Sequence, residues 1–128
     1  MNSCGIDIVE ISRLEEARKR PGFDARIFSC RELAEGARKG SPPQYYAGRW
    51  AAKEAAAKAL GCGFGEKCSP QEVEILSGEN GSPGLFLSGR AAQTARDKGI
   101  VSWCVSITHE KHYAAAMAVA EIDKEMVK

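Results

Sequence analysis

A glutamate and a lysine lie four residues apart in an alanine-rich segment, at Glu54 and Lys58. The segment Arg49–Gly61 is expected to be helical, because alanine has the highest helix propensity and glycine commonly ends a helix. Residues four apart share one face of a helix, whereas Arg49 points elsewhere. A carboxylate beside an amine can hold a metal ion and a phosphate. The same pair is also common on solvent-exposed helices, where it contributes only about 0.2–0.5 kcal/mol.

A second carboxylate, Asp7, interrupts an apolar segment that is expected to be a strand, Cys4–Ile11. A buried aspartate is costly unless it is paired, hydrogen-bonded or bound to a metal, so Asp7 either caps or pairs with a neighbouring element or serves a site. Gly5 leaves room for a ligand or for another backbone. His109 follows another apolar run, at a strand end, where ligand-binding groups collect. These residues are the candidates for chemistry.

The elements that must position these residues follow from periodicity, caps and turn residues. Ser12 with Glu15 and Ser29 with Glu32 have the capping-box spacing that begins a helix. The run 112–120 is ambiguous, since its alanines favour helix and its place after a hairpin-like turn favours strand. Strands are predicted over 4–11, 72–76, 85–87, 101–108 and 112–120, and helices over 12–20, 29–40, 43–60 and 88–98. We expect one domain over 1–128, with 1–3 and 122–128 as flexible ends.

The composition is that of an ordinary globular protein. The 128 residues can bury a core in one domain, and 44% hydrophobic with 27% charged residues excludes disorder and fibrous classes. The longest nearly apolar run, Tyr113–Ala120, is far shorter than the ~20 residues of a membrane-spanning helix, and no secretory signal is visible. We therefore expect a cytoplasmic protein with no membrane contact. Five cysteines without a CxxC pair argue against a disulfide framework or a zinc site.

The net charge of +1 gives no overall attraction for nucleic acid, and no aromatic–basic interleaving favours it. One stretch is locally basic: from Arg18 to Arg31 the chain has five basic residues and a single acid, Asp24. Such a patch suits an acidic protein partner. The alternative is a solvated loop with scattered charges.

Four segments, in order, resemble the holo-acyl-carrier-protein synthase family, the small stand-alone 4′-phosphopantetheinyl transferases. They are GIDIVEI (5–11), AGRWAAKEA (47–55) with KALGCG (58–63), NGSP (80–83) and VSITH (105–109). The resemblance runs from about Cys4 to Glu121, and four motifs in order are far more specific than one. It implies a single α+β domain in which a mostly antiparallel sheet packs against a long central helix and shorter helices.

The resemblance implies an enzyme that transfers the 4′-phosphopantetheine group of coenzyme A to a serine of apo-acyl carrier protein and releases adenosine 3′,5′-bisphosphate. Asp7 and Glu54 match its two Mg²⁺-binding carboxylates, and Mg²⁺ is typically held by one or two carboxylates with phosphate oxygens and water. Lys58 is implied to contact the same phosphates. Glu54, directly or through a water on the metal, is the expected proton acceptor, since Lys58 would have to lose its proton beside a cation.

The resemblance also implies which residues bind the donor. Arg49 and His109 match positions near the 3′-phosphate of the nucleotide, where a guanidinium and an imidazole suit a dianion. Gly61 and Gly63 are implied to let the backbone approach the pantetheine arm, and Pro83 lies in the matching turn. The small alanine side chains of the long helix would let the cofactor and a neighbouring subunit come close.

The assembly implied by the resemblance is a homotrimer with active sites between subunits. Asp7, Glu54 and Lys58 would then face Arg49 or His109 of a neighbour.

Carrier docking is implied to use the basic stretch, because acyl carrier proteins are strongly acidic. Arg13, which matches a carrier-contacting arginine of the family, and Arg26 are the docking candidates. Arg18, Lys19 and Arg20 are further candidates.

Three residues depart from the family pattern. Ser3 stands where a glycine is usual, and Trp50 replaces a phenylalanine as a conservative core exchange. Ser82 replaces the lysine of the usual Asn-Gly-Lys-Pro turn. The loss of this lysine argues against a nucleotide contact from this turn and does not affect the metal site. The alternative function is a non-catalytic carrier-protein or coenzyme A-binding module of the same fold, which predicts a lost metal carboxylate; both carboxylates are present.

Overall fold

Five strands and five α-helices follow one another in the computed structural model, which describes residues 1–128. The strands are β1 (Asn2–Glu10), β2 (Val73–Ser77), β3 (Pro83–Leu87), β4 (Ile100–His109) and β5 (Tyr113–Ile122). The helices are α1 (Ile11–Arg18), α2 (Phe23–Ile27), α3 (Cys30–Arg38), α4 (Pro43–Leu60) and α5 (Gly89–Asp97). Short 3₁₀ helices cover Pro70–Glu72 and Lys124–Met126. The predicted α+β class is confirmed.

The larger sheet is antiparallel, with β5 between β1 and β4. Alternate residues of β5 are buried, as expected for a strand with one face on the core. The buried residues are Ala114, Ala116, Ala118 and Ala120. The ambiguous run is therefore a strand: its period of two, with partners on both sides, outweighs the helix propensity of its alanines.

Helix α4 packs directly on the inner face of this sheet, and it ends at Gly61, which is left-handed with a φ of 79°. Its alanines carry the contact because small side chains let the helix axis approach the strands. Those at 51, 52, 55 and 56 have no exposed surface. The helix is thus central and buried nearly all round. The expectation that these alanines make room for a cofactor and a neighbouring subunit is wrong, because the sheet itself fills that space.

Gly5 marks the closest approach of β1 to α4. A Cβ atom at this position would lie 2.0 Å from the carbonyl oxygen of Ala55 and 2.8 Å from the Cβ of Lys58. The space that Gly5 leaves is therefore occupied by another backbone rather than by a ligand.

The smaller sheet pairs β2 with β3 as the predicted hairpin, and a buried ion pair ties it to α3 and α4. Lys53 Nζ lies 2.7 Å from Glu32 Oε1 and donates to the carbonyl oxygens of Pro70 and Val73 at 2.9 and 2.6 Å. Both charged side chains are fully buried. Burial lowers the pKa of Lys53, whereas the charge of Glu32 opposes that shift. Removing one partner of such a pair leaves an uncompensated charge in the core.

Two predictions about helix starts had different outcomes. The capping box of Ser29 and Glu32 is confirmed at the start of α3, with both hydrogen bonds present. The box of Ser12 and Glu15 is wrong: α1 begins one residue earlier, and the hydroxyl of Ser12 donates to the carboxylate of Glu10 at 3.1 Å. The chain between β1 and α1 has no room for a separate capping residue.

The structure also differs at the ends and in the basic stretch. Asn2 and Ser3, expected at a flexible end, pair with Glu121 and Ala120 in the larger sheet. The other expected flexible end, 122–128, contains the last residue of β5 and a 3₁₀ helix. Helix α2 was not predicted. No helix in the structure combines the length and the hydrophobicity needed to cross a bilayer.

Candidate functional site

The two predicted metal carboxylates and the predicted phosphate-binding lysine line one cleft between β1, α1 and α4, with a volume of about 500 Å³. Lys58 Nζ lies 3.1 Å from Asp7 Oδ1 and donates to the carbonyl oxygen of Ile6 at 2.9 Å. Glu54 is half-buried one turn before Lys58 on the same helix. The structure thus brings together residues that are 51 positions apart in the chain.

Strand alternation and the Gly5 contact explain this geometry. Asp7 points toward α4 because its neighbours Ile6 and Ile8 point outward, where they are 67% and 66% exposed. The absence of a side chain at Gly5 lets β1 lie against α4, which brings Asp7 within reach of Lys58. Asp7 therefore has the charged partner that an aspartate in an apolar strand requires, and that partner is Lys58. Lys58 is also the residue that the resemblance assigns to the phosphates of the donor.

The carboxyl groups of Asp7 and Glu54 interact electrostatically in the cleft. Burial raises the pKa of Glu54, the charge of Asp7 raises it further, and Lys58 partly offsets both effects. Lys58 is the cation that contacts Asp7 directly, and Glu10, Arg13 and Arg20 also line the cleft. A divalent cation, or a cation together with phosphate oxygens, suits this arrangement.

The donor set fits Mg²⁺ better than a transition metal. No group of three or more His, Cys, Asp or Glu side chains is placed to hold a metal ion. Asp7 and Glu54 supply two hard oxygen donors on rigid elements, and Mg²⁺ usually completes its shell with substrate phosphates and water. The cleft lacks the nitrogen and sulfur ligands that zinc sites use.

Apolar and basic side chains also line the cleft. Phe23 and Trp50 line it, and the Trp50 ring stacks on Phe64 with 5.7 Å between centroids. Arg13 and Arg20 also line it. The sequence interpretation assigned Trp50 to the core and missed its place beside the site. The signal was present, because Trp50 stands four residues before Glu54 and therefore shares the helix face of Glu54 and Lys58.

The basic stretch is only partly available to a partner. Arg18 Nε lies 2.9 Å from Asp24 Oδ1, and its Cζ lies 3.4 Å from the centroid of the Tyr46 ring. Its guanidinium is therefore already paired within the chain. Lys19 pairs with Glu16 in solvent at 2.9 Å. Arg26 is exposed on α2.

Arg49 does not line the cleft. It is 7% exposed and faces α3, where its Nη2 donates to Glu35 Oε1 at 2.7 Å and to Ser77 Oγ at 2.8 Å. Its Nε is buried without a partner. The expectation that Arg49 points away from the Glu54 face is confirmed, and its partner Glu35 had no sequence signal.

The remaining predicted donor-binding residues lie apart from the cleft in one chain. His109 ends β4 and lines a separate pocket of about 420 Å³ with Glu15 and Lys111. Gly61 and Gly63 are exposed after α4, both with positive φ. Pro83 begins β3 opposite Ser77.

The outer face of the larger sheet is apolar and exposed. Ile6 pairs with Met117, which is 45% exposed, and Cys4 pairs with Val119. Ile8 continues the same face. A contiguous apolar patch rimmed by polar residues typically marks an interface.

Comparisons with known proteins show which proteins the chain is similar to. Residues 3–118 match the model of the 4′-phosphopantetheinyl transferase superfamily. A holo-acyl-carrier-protein synthase of Moorella thermoacetica is 46% identical over 122 residues, which cover 94% of each chain.

Solved structures give the same result. The crystal structure of holo-acyl-carrier-protein synthase from Neisseria meningitidis superposes with a TM-score of 0.85 at 32% identity, covering 93% of this chain and 97% of that one. The Helicobacter pylori holo-acyl-carrier-protein synthase in complex with coenzyme A gives 0.80 at 32% identity, covering 92% and 99%. The resemblance inferred from the sequence motifs is confirmed.

Proposed function

The chain belongs to the 4′-phosphopantetheinyl transferase superfamily, and we propose that it is a holo-acyl-carrier-protein synthase that transfers 4′-phosphopantetheine from coenzyme A to a serine of apo-acyl carrier protein. The observation that carries the proposal is the convergence of Asp7, Glu54 and Lys58 in one cleft. A relative of the same fold with coenzyme A bound supports the donor.

In the proposed reaction the serine hydroxyl oxygen forms a bond to the β-phosphorus of coenzyme A. The bond from that phosphorus to the bridging oxygen breaks, and adenosine 3′,5′-bisphosphate leaves. Glu54 accepts the hydroxyl proton, because it is a half-buried carboxylate in the cleft and Lys58, the other candidate, would have to lose its own proton beside a cation. Lys58 is 53% exposed beside Asp7, so its ammonium group can contact a phosphate oxygen while it remains tethered.

Asp7 and Glu54 would hold Mg²⁺. When bound, the ion would neutralise the charge of the pyrophosphate and stabilise the leaving phosphate. The role of the chain itself is to keep the two carboxylates and the ammonium in fixed positions on β1 and α4.

We further propose a homotrimer in which the outer apolar face of the sheet packs against a second copy. Two observations support this: Ile6, Ile8 and Met117 are exposed together, and His109 lies outside the cleft of its own chain. A neighbour's His109 would then complete the nucleotide-binding end of the site.

Mixing inactive variants tests the shared site. Asp7→Ala and His109→Ala subunits, unfolded and refolded together, should regain transferase activity, because some interfaces then combine an intact Asp7 with an intact His109. A mixture as inactive as its parents, with light scattering giving a trimer mass, would contradict a shared site.

Carrier docking is proposed at Arg13, Arg20 and Arg26. Arg13 and Arg20 line the cleft itself, and Arg26 is exposed on the adjoining α2. Arg18 is less suited, because Asp24 and Tyr46 already engage it. The proposed compartment is the cytoplasm, where apo-carrier and coenzyme A would meet the enzyme.

The test compares rates of carrier modification for the wild type with Asp7→Asn, Glu54→Gln and Lys58→Met. Each variant should lose at least about 10²-fold in kcat/KM, the size typical for removing one positioned catalytic group. EDTA should abolish the reaction and added Mg²⁺ should restore it. Wild-type rates in Asp7→Asn and Glu54→Gln would exclude the cleft as the active site.

A further inference from the structure

Every carbonyl group in the last turn of α4 has a hydrogen-bond donor, although helix geometry leaves these groups without partners inside the helix. Two of them accept from backbone N–H groups of the glycine-rich loop (61–67) that follows. The carbonyl oxygen of Ala59 accepts from the Ser3 hydroxyl at 2.7 Å. That of Leu60 accepts from the ammonium group of Lys98, the residue directly after α5. The end of α4 is therefore fixed from two sides, by β1 and by α5.

Side chains of α5 also hold the far end of the glycine-rich loop. Thr94 Oγ1 donates to the carbonyl oxygen of Lys67 at 2.8 Å. Arg90 Nη1 donates to the carbonyl oxygen of Glu66 at 2.9 Å. Because Arg90, Thr94 and Lys98 are spaced four residues apart, they lie along one side of α5, the last of them just past its end. One side of a single helix therefore binds backbone carbonyl groups at both ends of the loop.

The glycine-rich loop has little else to fix its backbone. Residues 64–67 make one backbone–backbone hydrogen bond, from the N–H of Gly65 to the carbonyl oxygen of Cys68 at 2.8 Å. Gly61 and Gly63 have positive φ, and glycine loses more conformational freedom on folding than any other residue. The contacts from α5 therefore supply much of the order of this loop.

The loop borders the cleft through an aromatic contact. Phe64 lies in the middle of the loop, and its ring stacks on that of Trp50 with an angle of 20° between the ring planes. Trp50 lines the cleft together with Glu54 and Lys58. A displacement of the loop would therefore change the apolar side of the cleft.

This apolar side suits one half of coenzyme A better than the other. The proposed reaction assigns the pyrophosphate that joins the two halves to Lys58 and the metal carboxylates, which lie in the same cleft as Trp50. The pantetheine arm is uncharged, so apolar side chains favour it over the bisphosphate nucleotide, which requires cations. The position of the loop should therefore affect the arm and not the nucleotide.

We propose that Thr94 and Lys98 are positioning residues for the pantetheine arm of the donor, because they hold the glycine-rich loop in the conformation that shapes the apolar side of the cleft. Neither residue lines the cleft, so both act through the loop. The inference rests on the proposed function, since it takes coenzyme A as the donor.

Equilibrium binding separates this role from a general loss of structure. Calorimetry with Mg²⁺ compares coenzyme A with adenosine 3′,5′-bisphosphate, which has no pantetheine arm. Thr94→Val and Lys98→Met should each weaken coenzyme A binding about three- to tenfold, the range expected for losing one hydrogen bond, and leave the bisphosphate within about twofold of wild type. Equal weakening of both ligands, or weakening of the bisphosphate alone, would overturn the proposal.

Matched variants sharpen the test. Thr94→Ser keeps the hydroxyl group and should retain wild-type affinity for both ligands. Arg96→Met removes a positive charge from α5 without touching the loop, because its guanidinium is exposed and bonds to Gln93 of the same helix. It should change neither affinity. The same selective loss in Arg96→Met as in Lys98→Met would show that charge, and not the position of the loop, controls binding.

The outcomes also separate this inference from the proposed function. Wild-type affinities for both ligands in Thr94→Val and Lys98→Met would overturn the positioning role alone. A wild-type protein that binds neither ligand would refute the proposed function and this inference with it. The predicted selective loss in a protein that modifies no carrier would refute the proposed function and leave the positioning role standing.

Discussion

Replacing Gly5 with alanine tests how the fold positions the site. The new Cβ would lie 2.0 Å from the carbonyl oxygen of Ala55, whereas such contacts are essentially never shorter than 3.0 Å. Strand β1 and helix α4 must therefore separate by about 1 Å, and Asp7 moves with the strand. Overpacking of this kind costs about 1–3 kcal/mol.

Both stability and activity should respond. At about 2.1 cal/mol/K per residue, the unfolding entropy of the 128-residue chain is about 0.27 kcal/mol/K, so Tm should fall by about 4–11 °C. A displacement of about 1 Å in a catalytic group can cost about 10²-fold in rate, so kcat/KM should fall by that order at a temperature where the variant is fully folded. Thermal unfolding by circular dichroism and the carrier-modification assay measure the two effects.

Gly65→Ala is the matched control. A Cβ at Gly65 meets no atom within 4 Å, and this glycine does not have a positive φ. Its Tm should stay within about 2 °C of wild type, as for other surface changes, with unchanged activity. The reasoning is refuted if Gly5→Ala matches Gly65→Ala, or if it lowers Tm while full activity remains, since Asp7 would then not depend on this contact.

Three further predictions concern charge. Lys53→Met should cost about 3–5 kcal/mol in urea unfolding, because it leaves Glu32 charged and unpaired in the core; a loss below about 1 kcal/mol would contradict this account. Glu35→Gln should lower Tm at neutral pH. Because the folded pKa of Glu35 lies below its ordinary value, the wild-type advantage should persist above about pH 5 and shrink as the pH falls; a difference independent of pH would argue against it. Arg13→Glu should raise the KM for the carrier about tenfold, about 1.4 kcal/mol, and flatten its salt dependence with kcat retained; an unchanged KM would exclude docking there.

Local signals in the sequence were sufficient for most of the fold. Gly61 predicts the end of α4 because its left-handed conformation suits glycine, and Ser29 with Glu32 predicts the start of α3. Helix α2 was missed, because its five residues follow Pro21-Gly22 and the single apolar repeat from Phe23 to Ile27 is too short to distinguish a helix from a loop. The burial of α4 could not be predicted either, because an alanine-rich sequence is compatible both with a solvent-exposed helix and with a helix packed against a sheet.

The candidate site likewise contains residues that the sequence indicated and contacts that only the folded chain shows. Asp7 could be singled out because a charged residue in an apolar strand needs a partner. Glu54 and Lys58 could be singled out because residues four apart lie on the same face of a helix. The pairing of Asp7 with Lys58 depends on the distance between β1 and α4, which the close contact at Gly5 sets. The spacing of residues in the sequence does not indicate this distance. The contacts of Arg49 with Glu35 and Ser77 join α4 to α3 and β2, so only the folded chain shows them.

The most direct measurement is the intact mass of an apo-acyl carrier protein incubated with this protein, coenzyme A and Mg²⁺, together with the amount of adenosine 3′,5′-bisphosphate released. The account predicts one 4′-phosphopantetheine per carrier on a single serine, one nucleotide released per carrier modified, and neither product with Asp7→Asn. An unmodified carrier across several acidic carriers, or full modification by Asp7→Asn, would contradict it.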